Sequence, residues 1–126
     1  MSLVVRNLHK AYPTRSGPLS VLRGVDLTLA PGDALAVMGP SGSGKSTLLY
    51  VIGTLDTPTS GSLVVDGSDA STLRGSRLNT LRNRTFGFVF QQFFLTPSAS
   101  VLENVMLPLT IAGVRSGERK KRALAA

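Results

Sequence analysis

Gly39-Pro40-Ser41-Gly42-Ser43-Gly44-Lys45-Ser46-Thr47 constrains this chain more than any other stretch. It fits G-x-x-x-x-G-K-[ST], the pattern of a phosphate-binding P-loop. The flanks agree with that reading. Ala34-Leu35-Ala36-Val37-Met38 is a short apolar run that reads as a buried strand, and Ser46 to Ile52 reads as a helix. A strand, a glycine-rich turn and a helix N-terminus are the parts an anion cradle needs. Glycines let backbone N–H groups turn inward and approach the anion closely. The first helical turn adds unpaired N–H groups and the positive end of the dipole. In such a cradle Lys45 supplies a mobile charge for terminal phosphates, and the Ser46 hydroxyl is a ligand for Mg²⁺. The plainer alternative is a Gly/Ser-rich loop with a stray lysine, which leaves the strand-before, helix-after context unexplained.

Composition closes off several other classes. The 126 residues suffice for one domain at most. At 42% hydrophobic and 17% charged, the chain has the make-up of an ordinary globular protein. It has no cysteine, which excludes a disulfide framework and a thiolate metal site. A single histidine, His9, excludes a multi-histidine metal centre within the chain and reads as a surface or partly buried structural residue. No apolar run approaches the ~20 residues that span a bilayer. Met1-Ser2-Leu3-Val4-Val5-Arg6 does not have the form of a signal peptide. The expected location is the cytoplasm, or the cytoplasmic face of a membrane as a peripheral protein. The net charge is +7, from 14 basic and 7 acidic residues. Arg74, Arg77, Arg82 and Arg84 form one basic cluster, and Arg115, Arg119, Lys120, Lys121 and Arg122 another. Such clusters can bind nucleic acid or acidic membrane. No aromatic residues interleave with them as a base-stacking surface requires, so they read as solvated helix faces with no nucleic-acid partner.

Along the chain, residues 3–9 and 20–29 carry strand-like apolar spacing, with a turn over Thr14-Arg15-Ser16-Gly17-Pro18. Pro31-Gly32-Asp33 is a second tight turn. The P-loop helix is expected to run to about Leu55, where Asp56 to Gly61 breaks it. Ser62 to Gly67 reads as a strand entering an Asp-Gly turn. Residues 76–84 form a short amphipathic helix, and Phe86-Gly87-Phe88-Val89-Phe90 reads as a buried strand. Ser100 and Glu103 have capping-box spacing and start a helix that Pro108 should kink or shorten. Ser116-Gly117-Glu118 reads as the N-cap of a last helix, with no stop signal before Ala126.

With these segments placed, the chain resembles the ATP-binding subunit of an ABC transporter along its whole length. Tyr12, following Lys10-Ala11, matches the aromatic platform that stacks on adenine. Gly39, Pro40, Ser41, Gly42, Ser43, Gly44, Lys45, Ser46 and Thr47 match the family's P-loop in full. Gly53-Thr54-Leu55 with Pro58-Thr59-Ser60-Gly61 matches the turn to the next strand. Phe88-Val89-Phe90-Gln91 matches the Q-loop, whose glutamine, here Gln91, ligates Mg²⁺ and contacts the membrane subunit. Residues 87–93 and 102–109 look like the branch that includes lipoprotein-releasing and macrolide-export systems. The resemblance implies an α/β fold: a P-loop NTPase core with an N-terminal antiparallel β-subdomain. It implies a nucleotide-binding core over 1–90, and over 91–126 the Q-loop and the start of a helical subdomain. ATP and Mg²⁺ are the implied cofactors. A membrane permease subunit and a second nucleotide-binding subunit, paired head to tail, are the implied partners. Stacking on Tyr12 needs its π-face, so the ring rather than the hydroxyl is expected to matter there.

The chain also departs from the family. The family's ATPase needs a metal-holding acid on a second buried strand and a glutamate beside it that polarises water. It adds a Leu-Ser-Gly-Gly-Gln signature and a histidine switch. None of these follows Gln91. Leu63-Val64-Val65-Asp66 imitates a metal-holding strand, but Gly67 follows it, and Asp66-Gly67 reads as a hairpin turn. The sequence therefore reads as the N-terminal part of such a domain, stopping before the central sheet is complete, with no catalytic residue assigned. Exposed apolar surface and an unpaired strand edge are expected. Two functions follow: an energy-coupling subunit that binds and hydrolyses ATP when whole, or a non-catalytic nucleotide-binding fragment.

Overall fold

A computed structural model describes residues 1–126. The chain divides into two compact units, Met1–Thr85 and Phe86–Ala126.

The first unit is built on a four-stranded antiparallel sheet: β1 (Leu3–Thr14), β2 (Gly17–Leu29), β3 (Ser60–Val65) and β4 (Ser68–Asp69), in the order β2-β1-β3-β4. Two helices accompany it, α1 (Lys45–Ile52) and α2 (Gly75–Thr85). The core gathers Leu3, Val5 and Leu8 of β1, Leu22 of β2, Leu63 and Val65 of β3, Val51 of α1 and Ala70. Leu3 and Val5 face inward at odd positions, then the pairing slips between Val5 and Leu8, with Asn7 at φ 46. One irregular step reverses which side chains face the core. Leu8 and Lys10 are therefore buried, at even positions. Gly61 makes room for the slip: a Cβ there would lie 2.3 Å from the Asn7 carbonyl oxygen.

Asp66 (φ 46) and Gly67 (φ 78) form the expected hairpin turn between β3 and β4, both in the left-handed region that a type I′ turn demands. The Asp66 carboxylate accepts from the Ser2 amide at 2.6 Å, which holds its carboxyl below the usual carboxylate range. It is a turn residue and a tether for the start of β1. The turn at Pro31-Gly32-Asp33 also forms, closed by an Asp33 amide bond to the Ala30 carbonyl at 3.1 Å.

Two expected strands are absent. Ala34–Met38 pairs with no strand and is largely exposed, Met38 at 89%. Phe86–Phe90 likewise joins no sheet. Apolar runs of this kind suit strands buried on both faces of a parallel sheet. Their conformation depends on neighbours to hydrogen-bond with, and no other segment of this chain supplies them.

The second unit holds α3 (Val101–Ile111) and α4 (Ser116–Ala125). The capping box of α3 is complete: the Glu103 amide donates to Ser100 Oγ at 3.3 Å, and the Ser100 amide donates to Glu103 Oε2 at 2.7 Å. The Ser100 hydroxyl, which donates to Glu103 Oε2 at 2.7 Å, and the Ser100 amide together hold the Glu103 carboxyl below its ordinary value. Pro108 does not end α3, which continues three residues to Ile111. The N-cap of α4 is Arg115, one residue before the expected start, and no side chain caps it. Phe86, Phe88 and Phe90 stack in series, with centroids 6.2 and 5.6 Å apart. Alternate residues of an extended segment share a face, so the stacking preserves a strand's side-chain phase without its ladder. No helix of either unit is long and apolar enough to cross a membrane.

Candidate functional site

The P-loop lies in the first unit, and α1 begins within it at Lys45. Gly44 caps the helix at φ 92, and a Cβ there would lie 3.1 Å from Val21 Cγ1 and 3.3 Å from the Val21 carbonyl oxygen. Only glycine meets both demands, a left-handed backbone and a close approach to β2. The first intrahelical bond runs from the Leu48 amide to the Gly44 carbonyl at 2.8 Å. The amides of Lys45, Ser46 and Thr47 precede it, and no side chain caps this end of α1. The contrast with α3 is informative. There, Ser100 and Glu103 close the N-terminus. Here the same orphan donors are left open, at the positive end of the dipole, beside a lysine.

Lys45 folds back over the loop. Its Nζ donates to the Gly39 carbonyl at 3.0 Å and to the Pro40 carbonyl at 2.8 Å. The Ser43 amide donates to the Pro40 carbonyl at 3.3 Å, closing the turn. Ser41, Gly42, Ser43 and Ser46 are exposed, so the rim of the loop is open to solvent. The structure places Gly39, Pro40, Ser41, Gly42, Ser43, Gly44, Lys45, Ser46 and Thr47 in one loop and helix start, with Lys45 bonded across it. The donor types suit a polyphosphate: uncapped backbone amides at the start of α1, one ammonium and an exposed Ser46 hydroxyl suited to a hard cation.

Tyr12 is held by contacts that the sequence did not disclose. Its hydroxyl donates to Asp56 Oδ2 at 2.7 Å. Lys10 Nζ donates to Asp56 Oδ1 at 2.6 Å and to the Thr57 carbonyl at 2.7 Å, and lies 4.7 Å from the centroid of the Tyr12 ring. The bond to Asp56 is the main cause that raises the Tyr12 hydroxyl above its ordinary pKa, with burial adding to it and the Thr47 hydroxyl opposing it. Partial burial pushes the Asp56 carboxyl up, but the bonds from Lys10, Tyr12 and Thr57 outweigh burial and leave it below the usual carboxylate range. Lys10 and Asp56 are the residues that sequence reasoning passed over. The available signal was that Lys10 and Tyr12 alternate along one strand and so share a face. Asp56 lies too far away in sequence for any local pattern to reveal it. Gln91 belongs to the second unit and is exposed, at the end of the unpaired Phe86–Phe90 segment.

A glycine-rich cradle at a helix N-terminus, with a lysine over it, defines the class of P-loop phosphate-binding proteins. The comparisons with known proteins narrow this. Residues 22–126 match the family model described as ABC transporter, and the chain belongs to that family. It is 50% identical over 121 residues to the lipoprotein-releasing system ATP-binding protein LolD 1 of Rhodopirellula baltica, covering 96% of this chain and 53% of that protein. It is 51% identical over 121 residues to the macrolide export ATP-binding/permease protein MacB of Brucella abortus, covering 96% of this chain and 19% of that protein. Among solved structures it resembles the dimeric ATP-binding cassette MJ0796, in a post-hydrolysis state bound to ADP and Pi. The TM-score is 0.86 at 40% identity, covering 98% of this chain and 54% of that one. The chain thus spans about half the length of LolD 1 and of the MJ0796 cassette, and its fold is that of the corresponding part of an ABC ATPase cassette.

Proposed function

We propose that this chain binds Mg-ATP at Gly39–Thr47 and supplies the nucleotide-holding part of an ABC transporter ATP-binding subunit. The observation that carries this is the uncapped start of α1, with Lys45 bonded across the loop that precedes it. The amides of Gly42 to Thr47 would receive the phosphates and Lys45 the terminal ones; Ser46 and Gln91 are each proposed as a ligand for Mg²⁺. Tyr12 would stack on the base. In this reading residues 1–90 form the nucleotide-binding core, and 91–126 the Q-loop and the start of the helical subdomain. A second such subunit and a membrane permease are the partners, with the protein peripheral on the cytoplasmic face. The MacB relative, named as a combined ATP-binding and permease protein, supports the pairing with a permease.

Lys45→Ala tests the cradle. Loss of a charge-assisted contact of ~1.5–3 kcal/mol weakens Mg-ATP binding by about 10- to 150-fold. Calorimetry returning equal affinities for both proteins refutes the reading.

The chain by itself is proposed to hold ATP without turning it over. Each of its seven acidic residues already has a structural bond. Asp26 accepts from the Asn7 amide, Asp33 from the Ala30 amide, Asp66 from Ser2 and Asp69 from Ser71. Asp56 is held by Lys10 and Tyr12, Glu103 by Ser100, and Glu118 by Arg122. A loop that grips phosphate equally in substrate and transition state does not raise the rate. Phosphate release from the purified chain should match that of Lys45→Ala; a clear excess over that control overturns this part.

A further inference from the structure

The cluster of Lys10, Tyr12 and Asp56 has a geometry that stacking alone does not need. Both ends of the Tyr12 side chain are constrained. Its hydroxyl is fixed to Asp56 Oδ2 at 2.7 Å, and the Lys10 ammonium stands over its ring, 4.7 Å from the centroid. The same ammonium bonds the other oxygen of the same carboxylate at 2.6 Å. The three groups therefore close a ring of contacts, and Asp56 is itself anchored by the Thr57 amide at 2.7 Å. Lys10 is buried to 9% exposure, so its charge is not there as a solvated surface group. With the ammonium over one face of the ring, a flat ligand is left the other. A tyrosine fixed in this way does not have to be ordered when a base arrives, and ordering a free side chain weakens binding by about 2- to 12-fold.

We propose that Lys10 and Asp56 are positioning residues for Tyr12: they fix its ring as a one-sided platform for the base of a nucleotide whose phosphates lie on the P-loop. They act through Tyr12 and touch neither base nor phosphate. The inference rests on the reading of Tyr12 as the base platform and adds two residues and a direction of approach to it.

The test separates base from phosphate by titrating the chain calorimetrically with Mg-ATP and with magnesium tripolyphosphate. Tyr12→Phe removes only the bond to Asp56, and Asp56→Ala removes the anchor. Each should weaken Mg-ATP by about 2- to 12-fold and leave tripolyphosphate within twofold of wild type. In a Tyr12→Ala background, Asp56→Ala should cause no further loss of ATP affinity, because its effect passes through the ring. Three results overturn the positioning role alone: unchanged ATP affinity in Tyr12→Phe and Asp56→Ala while Tyr12→Ala is weakened, equal losses for both ligands, or a further loss in the double variant. If Tyr12→Ala leaves ATP affinity intact, the platform reading itself fails. If wild type binds neither ligand, the cradle reading fails.

Discussion

Lys10 shows how much one backbone irregularity can decide. Without the slip at Asn7, the inward positions of β1 would continue Leu3, Val5, Asn7, and Lys10 would point outward. With it, an ammonium is carried inside and requires a carboxylate, which Asp56 provides. Asp56→Asn should cost ~1.5–3 kcal/mol at neutral pH, the usual value for a hydrogen bond to a charged group. The pH dependence has a definite sign. The Asp56 carboxyl titrates lower in the folded chain than in the unfolded one. Its contribution is thus complete above its unfolded pKa of ~3.9 and fades as pH falls through the depressed folded value. Thermal melts should show the gap between wild type and Asp56→Asn closing in strong acid; a gap that widens there contradicts the assignment. At Gly44 the constraint is steric. Gly44→Ala places a Cβ 3.1 Å from Val21 Cγ1 at φ 92, and should destabilise the chain by ~1–3 kcal/mol in denaturant titration.

Among the elements, legibility follows how local the determining chemistry is. The Ser100/Glu103 box and the Asp66-Gly67 turn were readable because three or four consecutive residues settle them. The P-loop was readable for the same reason. Ala34–Met38 and Phe86–Phe90 have the composition of strands, yet a strand exists only through its neighbours, and none pairs with them here. The Lys10–Asp56–Tyr12 cluster was illegible because it joins β1 to the segment after α1 across more than forty residues. A long-range contact of another kind is visible at the end of α1. The Arg82 Nε donates to the Thr54 carbonyl at 3.1 Å, bringing a cation to the helix C-terminus where the dipole favours it. The α3 cap gives the cleanest element-level test. Ser100→Ala should cost ~0.5–2 kcal/mol and speed amide exchange at Leu102–Asn104, leaving the first unit's exchange unchanged.

For the molecule as a whole, the notable quantity is apolar surface left in water. Leu35 and Met38 in the first unit, and Val89, Phe93 and Phe94 in the second, are all exposed. Surface of this kind drives association. Val89 is fully exposed, so Val89→Lys removes an adhesive side chain without removing a core contact. It should reduce light scattering at high concentration with little change in melting temperature; a drop of several degrees would mean that Val89 is buried in the folded chain. The bond between the Tyr12 hydroxyl and Asp56 also gives the molecule an optical property. The chain has no tryptophan and only two tyrosines, Tyr12 and Tyr50. Its near-ultraviolet emission is therefore tyrosine emission, and one of the two emitters stands at the proposed base site, donating a hydrogen bond to a carboxylate. Replacing Tyr50 by Phe leaves a single native fluorophore there, so the arrival of a nucleotide can be timed optically without attaching a dye.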